Sequence, residues 1–211
     1  RWLELGDDRL RGVDWIPGDK VQLLLPSLDM RTYTPLSWNK QTGTTELLVY
    51  RRESGADPAR EDPGVRWSGA VRPGDPCRFV GPQRSIAVAP ETPIVLFGDE
   101  TSFAVALALG RAATAPCGWV FEVNARQEAT AVLAELGLQD AVCVERAADD
   151  SHLEGIAGEL NALLRRRPDA RLIMTGRAQA IQSLQSRRRA AREARPFKTK
   201  AYWSLGKAGL D

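Results

Sequence analysis

The feature that most constrains the fold is a change of rhythm at Pro90–Pro93. Before it, short extended stretches alternate with turns; after it, apolar strand-length runs alternate with helix-length amphipathic ones. Lys20–Leu25, Met30–Thr34, Glu46–Tyr50 and Arg78–Val80 read as antiparallel strands, separated by Pro17-Gly18-Asp19, Thr42-Gly43 and Pro73-Gly74-Asp75. Short strands at this spacing predict a small barrel. Between Glu53 and Gly64 the composition shifts to Gly, Pro, Asp, Glu and Arg, as in an exposed connection. After Pro93, strands at Ile94–Phe97, Gly118–Val123, Ala141–Val144 and Arg171–Met174 alternate with helices at Ser102–Ala113, Ala125–Leu136, His152–Leu164 and Ala178 to about Arg192. That order implies a parallel sheet covered by helices. The expected domains are an antiparallel β-barrel over 1–91 and an α/β domain over 92–211, both of ordinary size for the 211 residues.

Composition narrows the class. With 43% hydrophobic and 27% charged residues the chain is neither disordered nor fibrous. Its longest apolar run, Phe103–Leu109, is far short of the roughly 20 residues of a membrane helix, so no membrane partner is expected. The front carries no basic–apolar–small leader pattern. Cys77, Cys117 and Cys143 have no metal or disulfide spacing and, with His152 the sole histidine, make a metal site improbable; all three are expected as buried small apolar residues in a reducing cytoplasm. His152 itself is expected to face solvent or cap its helix, since no nucleophile elbow accompanies it.

The net charge of +2 hides a polarity. Residues 165–200 hold twelve Lys/Arg against Asp169 and Glu193, a net of +10, while the rest holds 17 basic and 25 acidic residues, a net of −8. Such asymmetry points to an anionic partner, and nucleic acid, a phosphate-bearing cofactor and an anionic small molecule all answer to it.

Arg31-Thr32-Tyr33-Thr34 lies on a strand whose alternation sends Arg31 and Tyr33 to one face. A cation for a phosphate, an aromatic ring to cover another ring and a hydroxyl for a heteroatom are what a flavin nucleotide needs. Gly98-Asp99-Glu100-Thr101 ends the first parallel strand, where ligand crevices form, although Asp99 and Thr101 also suit helix capping. Arg177 follows another strand and could receive a nucleotide 2′-phosphate. No GxGxxG or P-loop pattern occurs.

Four motifs in order, Arg31-Thr32-Tyr33-Thr34-Pro35, Trp67 with Arg72-Pro73-Gly74-Asp75 and Gly81-Pro82, Gly98-Asp99-Glu100-Thr101, and Ala201-Tyr202-Trp203 with Gly206, resemble the siderophore-interacting protein family. The family belongs with the ferredoxin-reductase-like flavoenzymes, whose layout is a barrel followed by a parallel α/β domain. The resemblance implies an FAD-binding barrel and an NAD(P)H-binding domain, with electrons passing to the ferric iron of a siderophore. It implies Arg31, Tyr33 and Thr34 at the flavin, Gly64, Val65 and Trp67 beside its pyrophosphate, and Asp99, Glu100, Thr101, Tyr202 and Trp203 at the nucleotide and flavin crevice. Arg187-Arg188-Arg189, Arg192 and Arg195 read first as a solvated basic helix; their functional reading is a field that attracts an anionic ferric siderophore, with Lys198, Lys200 and Lys207 near the terminal Tyr-Trp as closer candidates. The chain departs from the family pattern at Tyr50-Arg51-Arg52-Glu53, Gln83-Arg84, Phe103-Ala104-Val105, Gly176-Arg177 and Ser204. No catalytic acid or base and no nucleic-acid partner is expected. Two other readings stay open: an NAD(P)H:flavin reductase without a siderophore, and a degenerate flavin-fold protein that binds a partner through its arginines.

Overall fold

The computed structural model describes residues 1–50, 63–192 and 196–206. The chain divides into two compact units, Arg1–Ala87 and Val88–Asp211.

Among the described residues of the first unit, six strands form two three-stranded antiparallel sheets. One has the order β1 (Trp2–Gly6), β5 (Thr44–Leu48), β4 (Pro35–Asn39); the other has β3 (Met30–Tyr33), β2 (Lys20–Leu24), β6 (Arg78–Gln83). Val21, Leu23, Leu25 and Leu47 make a core that takes Leu3, Leu5, Tyr33, Trp38 and Phe79 from both sheets. A short helix, α1 (Pro63–Ala70), adds Trp67. The Arg1 guanidinium donates to the carbonyls of Ser68, in the last turn of this helix, and of Val71, just after it, placing a cation at the helix C-terminus.

β1, β4 and α1 are not foreseen by the sequence reading, and β5 begins two residues earlier than expected. For β4 and β5 the cause is local. β4 opens on Pro35 and carries a register shift before Ser37, which breaks the alternation. At the start of β5, Thr45 is buried because its hydroxyl donates to the Ser37 carbonyl, so a polar residue takes a core position.

The second unit is a five-stranded parallel sheet in the order β11-β10-β7-β8-β9. Its elements are β7 (Ile94–Gly98), α2 (Phe103–Ala112), β8 (Cys117–Val123), α3 (Arg126–Glu135), β9 (Val142–Glu145), α4 (His152–Arg166), β10 (Arg171–Arg177), α5 (Ala178–Ala190) and β11 (Phe197–Trp203). A 3-10 turn, Glu100–Ser102, joins β7 to α2. The strands alternate between two buried faces. Val95, Phe97, Val120, Leu172 and Met174 meet Leu153, Ile156, Leu160 and Leu164 of α4 and Ala180, Ile181 and Leu184 of α5. On the other face Phe103 of α2 packs edge-on against Phe121, with ring centroids 4.8 Å apart. The strand order turns back on itself between β7 and β10, which is where an open parallel sheet forms a crevice at its carboxyl edge.

The spacing of Leu153, Ile156, Leu160 and Leu164 is why α4 forms against the sheet. Leu153→Ala is expected to lower unfolding free energy by about 2–5 kcal/mol in urea titration. Val132→Ala on the exposed side of α3 is expected to change it by less than about 0.5 kcal/mol.

Candidate functional site

The carboxyl edge of the parallel sheet concentrates the polar side chains that the second unit buries. At the end of β7, Asp99 is 1% exposed. Its Oδ1 accepts the Thr101 backbone N–H at 2.9 Å and the Thr101 hydroxyl, and its Oδ2 accepts the Trp203 indole N–H at 2.7 Å. The Asp99 N–H donates in turn to Ser102 Oγ, and the hydroxyls of Ser102 and Thr175 are 2.8 Å apart. Asp99 therefore caps the 3-10 turn and ties it to β11. Burial pushes its pKa up to about 6, against the pull of the bonds from Thr101 and Trp203 and aided by the negative charges of Glu100 and Glu122.

Two glycines let this carboxylate sit so deep. A side chain at Gly98 would run into Ser102. A Cβ on Gly176 would lie 2.5 Å from Asp99 Oδ2, and its φ of +97° is in the left-handed region.

One strand over, Glu122 on β8 is fully buried. Arg177 at the end of β10 grips it bidentately, Nε to Oε1 and Nη2 to Oε2, both at 2.9 Å. His152, the first residue of α4, lies with Nε2 2.9 Å from Glu122 Oε2, while its Nδ1 accepts the Ala147 N–H. The ring hydrogen therefore sits on Nε2 and is donated to Glu122. Arg177 also donates Nη2 to Asp150 Oδ1 at 2.7 Å and Nη1 to Oδ2 at 3.2 Å, which lowers the Asp150 pKa. The guanidinium is held charged by Glu122 and Asp150 in spite of its burial. Arg146, just past β9, donates to Asn124 at 2.6 Å, reaches Glu100 at 3.5 Å and lies over the Trp203 ring, 5.7 Å from its centroid.

Of the residues expected at the nucleotide crevice, the structure joins Asp99, Thr101 and Trp203 directly and Glu100 to Trp203 through Arg146. Tyr202 precedes Trp203 on β11, and Gln179 of α5 holds the chain after it through Ser204. Arg177 stands at the same edge, with its donors directed to Glu122 and Asp150. Lys198 and Lys200 lie half-buried on β11, in register with Ile173 and Thr175, whereas Lys207 lies outside the described residues.

A first correction concerns the arginine run, whose functional reading as a field that draws an anionic siderophore needs it near the crevice; Arg195 lies outside the described residues. α4 and α5 both start at the carboxyl edge and run back, so Arg165, Arg166, Arg187 and Arg189 lie at the amino end of the sheet. The Arg188 guanidinium lies over the ring of Phe197, where β11 begins, and Arg171 starts the neighbouring β10. His152 is a second correction: it is buried against Glu122, not solvated. A third concerns the cysteines, since Cys143 is buried but Cys77 and Cys117 are only partly so, all three as free thiols.

Sequence reasoning passed over Glu122, Arg146 and Asp150. Glu122 had a signal, because a carboxylate inside the apolar run Gly118–Val123 of a doubly covered strand must find a buried cation. Its partners come from 24 to 55 residues further along the chain, and no local pattern names them.

In the first unit Arg31 and Tyr33 lie on β3 opposite Leu23 and Val21 of β2, and Thr34 follows them. Arg31 Nη1 donates to the Met30 carbonyl. The rings of Tyr33 and Trp67 are 6.2 Å apart at 44°, so the fold brings the second strand motif and α1 together. Gly64 and Val65 occupy the first turn of α1, which carries no acidic residue. A cation, two aromatic faces, a hydroxyl and the N–H groups of a helix start are a donor set that fits a flavin nucleotide. Among the described residues no cluster of His, Cys, Asp and Glu is arranged for a metal, and no helix is long and apolar enough to cross a membrane.

Two expectations follow from the Asp99 geometry. Gly176→Ala forces a side chain against a buried carboxylate and adds left-handed strain of roughly 1–2 kcal/mol, so a loss at least that large is expected in urea unfolding. The raised pKa also sets a sign. The native state holds a proton on Asp99 between about pH 4 and 6 that the unfolded chain has lost, so this group's contribution to stability falls as pH rises through that window. Relative to Asp99→Asn, the wild type is expected to lose up to about 3 kcal/mol between pH 4 and 7, measured as the difference in unfolding free energy. A pH-independent difference would contradict the assignment.

The sequence matches no protein-family model and no curated protein. Solved structures are similar over most of the chain. The siderophore-interacting protein SipS from Aeromonas hydrophila is 16% identical with a TM-score of 0.71, covering 98% of this chain and 86% of that one. The siderophore-interacting protein from Acinetobacter baumannii is 15% identical with a TM-score of 0.65, covering 90% and 78%. A ferredoxin–NADP+ reductase from Plasmodium falciparum is 8% identical with a TM-score of 0.69, covering 95% and 88%. With antiparallel sheets followed by a five-stranded parallel sheet and its helices, the chain has the fold of the ferredoxin-reductase-like proteins, siderophore-interacting proteins among them.

Proposed function

We propose that the protein is an FAD-dependent oxidoreductase that passes electrons from NAD(P)H to the ferric iron of a siderophore and releases the iron as Fe(II). The observation that carries this reading is the fold shared with SipS over 98% of the chain, with a flavin-compatible donor set in the first unit and a ligand edge in the second. Arg31 would pair with a flavin phosphate, Tyr33 and Trp67 would offer ring faces, Thr34 would hydrogen-bond a ring heteroatom, and the N–H groups at Gly64 and Val65 would face the pyrophosphate. When bound, the flavin supplies the chemistry that lets a hydride donor serve a one-electron acceptor.

In the second unit, the edge around Asp99, Glu100, Thr101, Tyr202 and Trp203 would take the pyridine nucleotide. Arg177 enters this reading as the brace of that edge rather than as a 2′-phosphate contact, because it is engaged by Glu122 and Asp150. Lys198, Lys200 and Lys207 remain the candidates for an anionic ferric siderophore. Reduction suffices for release, since hard oxygen ligands hold Fe(III) far better than Fe(II). The chain then has to bind and orient, and no side-chain acid or base is needed. One observation favours the narrower reading of an NAD(P)H:flavin reductase without a siderophore: the arginines collect at the end of the sheet away from its ligand edge.

The test is anaerobic. Protein reconstituted with FAD is expected to show flavin bands, to bleach with NADH or NADPH, and to recover colour when a ferric siderophore is added. Failure to take up FAD overturns the reading, and bleaching without recovery selects the narrower one. Arg31→Ala is expected to weaken FAD binding by about 1.5–3 kcal/mol in equilibrium titration, through loss of a charged hydrogen bond.

A further inference from the structure

The Asp99 carboxylate is too deep to meet a ligand, and both of its oxygens already accept hydrogen bonds. Trp203 is different. It is half-buried at the end of β11, on the edge where an open parallel sheet takes its ligand. Its indole N–H is fixed by Asp99 at 2.7 Å, and its ring rests on Arg146, which is itself held by Asn124 and Glu100. The last pair of β10 and β11 is also irregular: after Gly176 opposite Ala201, Arg177 faces Trp203, so one residue of β11 is skipped and Trp203 is re-aimed. A flat ring held on two sides is a platform for another flat ring.

We propose that Trp203 is the aromatic platform for the nicotinamide end of the electron donor, and that Asp99 is the positioning residue that sets its plane. The inference rests on the reading of the protein as an NAD(P)H-dependent oxidoreductase and goes beyond it by naming the group that orients the donor. Gly176 belongs to the same device, because any side chain there would occupy the space of the Asp99 carboxylate. The groups facing Asp99 are Glu100 and Thr101 on its own turn, Glu122 of β8, Gly176 of β10 and Trp203 of β11. Arg146 balances Glu100 and Arg177 balances Glu122, so the carboxylate that titrates near pH 6 is the one bonded to the indole. Protonation turns an ionic acceptor into a neutral one and loosens the hold on the ring.

The test uses the full chain and two readouts. In a proton–nitrogen correlation spectrum the six tryptophans give indole N–H resonances, and the one missing from Trp203→Phe identifies Trp203. That resonance is expected to shift with a midpoint near pH 6 in the wild type and to be pH-independent in Asp99→Asn. Asparagine offers one acceptor oxygen where the structure uses two, so this variant is expected to raise KM for the reducing nucleotide about tenfold with kcat changed less than about twofold. Trp203→Phe keeps a ring but deletes the donor, and serves if the Asp99 variant does not fold. It is expected to raise KM to a similar extent, and the double variant is expected to add nothing further. An indole resonance that does not titrate, an unchanged KM in Asp99→Asn, or additive effects in the double variant would each overturn the inference. A wild-type protein that NADH and NADPH both fail to reduce overturns the parent reading, and the nicotinamide role with it, while the spectrum alone still reports whether Asp99 holds Trp203.

Discussion

A carboxylate sealed inside a protein is costly unless cations and donors surround it, and the second unit is organised around one such group. Glu122 sits next to the last residue of β8, between the buried Phe121 and Val123. Arg177 from β10 and His152 from α4 bond to it directly, and Arg146 from the end of β9 comes within 3.7 Å. These partners close the ends of three strands and the start of a helix around one buried charge. Removing Glu122 would leave Arg177 buried beside Asp150 alone, so the carboxylate and its arginine hold each other in place. The loops of the carboxyl edge inherit that rigidity, because Asp150, Asn124 and Glu100 hang from the same two arginines.

The brace also explains a departure from the family pattern. At the departure Gly176-Arg177, the arginine meets an acid on β8. A side chain read in isolation as a phosphate receptor becomes, in three dimensions, half of an internal ion pair. Sequence alone shows that a cation stands at the edge, and only the fold shows that the edge has already engaged it.

Much of the second unit was legible because its strands and helices are regular. Leu153, Ile156, Leu160 and Leu164 mark α4 by spacing, and the apolar runs of β7, β8 and β10 are too short for helices. β11 was less legible: Phe197–Trp203 alternates lysines with Thr and Ala, as an edge strand does when its outer side faces water. In the first unit, β4 hides behind Pro35 and a register shift, and α1 carries little apolar periodicity beyond Val65 and Trp67. Of the candidate site, the motifs Gly98 to Thr101 and Tyr202-Trp203 stand out in the sequence, but their relation to each other does not. That Asp99 and Trp203 are partners across 104 residues follows from β10 and β11 lying beside β7, a fact of strand order that no local pattern carries.

The same strand order resolves the charge polarity. Each described α-helix of the parallel unit begins at the carboxyl edge, so the positive ends of their dipoles gather there and the negative ends gather at the other. Glu100, Glu128 and Glu154 stand in first turns, and Arg111, Arg165, Arg166 and the triplet Arg187-Arg188-Arg189 stand in last turns. The basic run thus answers first to the helix ends that carry it. At the carboxyl edge, Arg146 and Arg177 are balanced by Glu100, Glu122 and Asp150, and the half-buried Trp203 indole is held between Asp99 and Arg146. The cations of this edge are thus engaged by internal carboxylates, and the orientation of the Trp203 indole is set by a buried aspartate and not by the basic run.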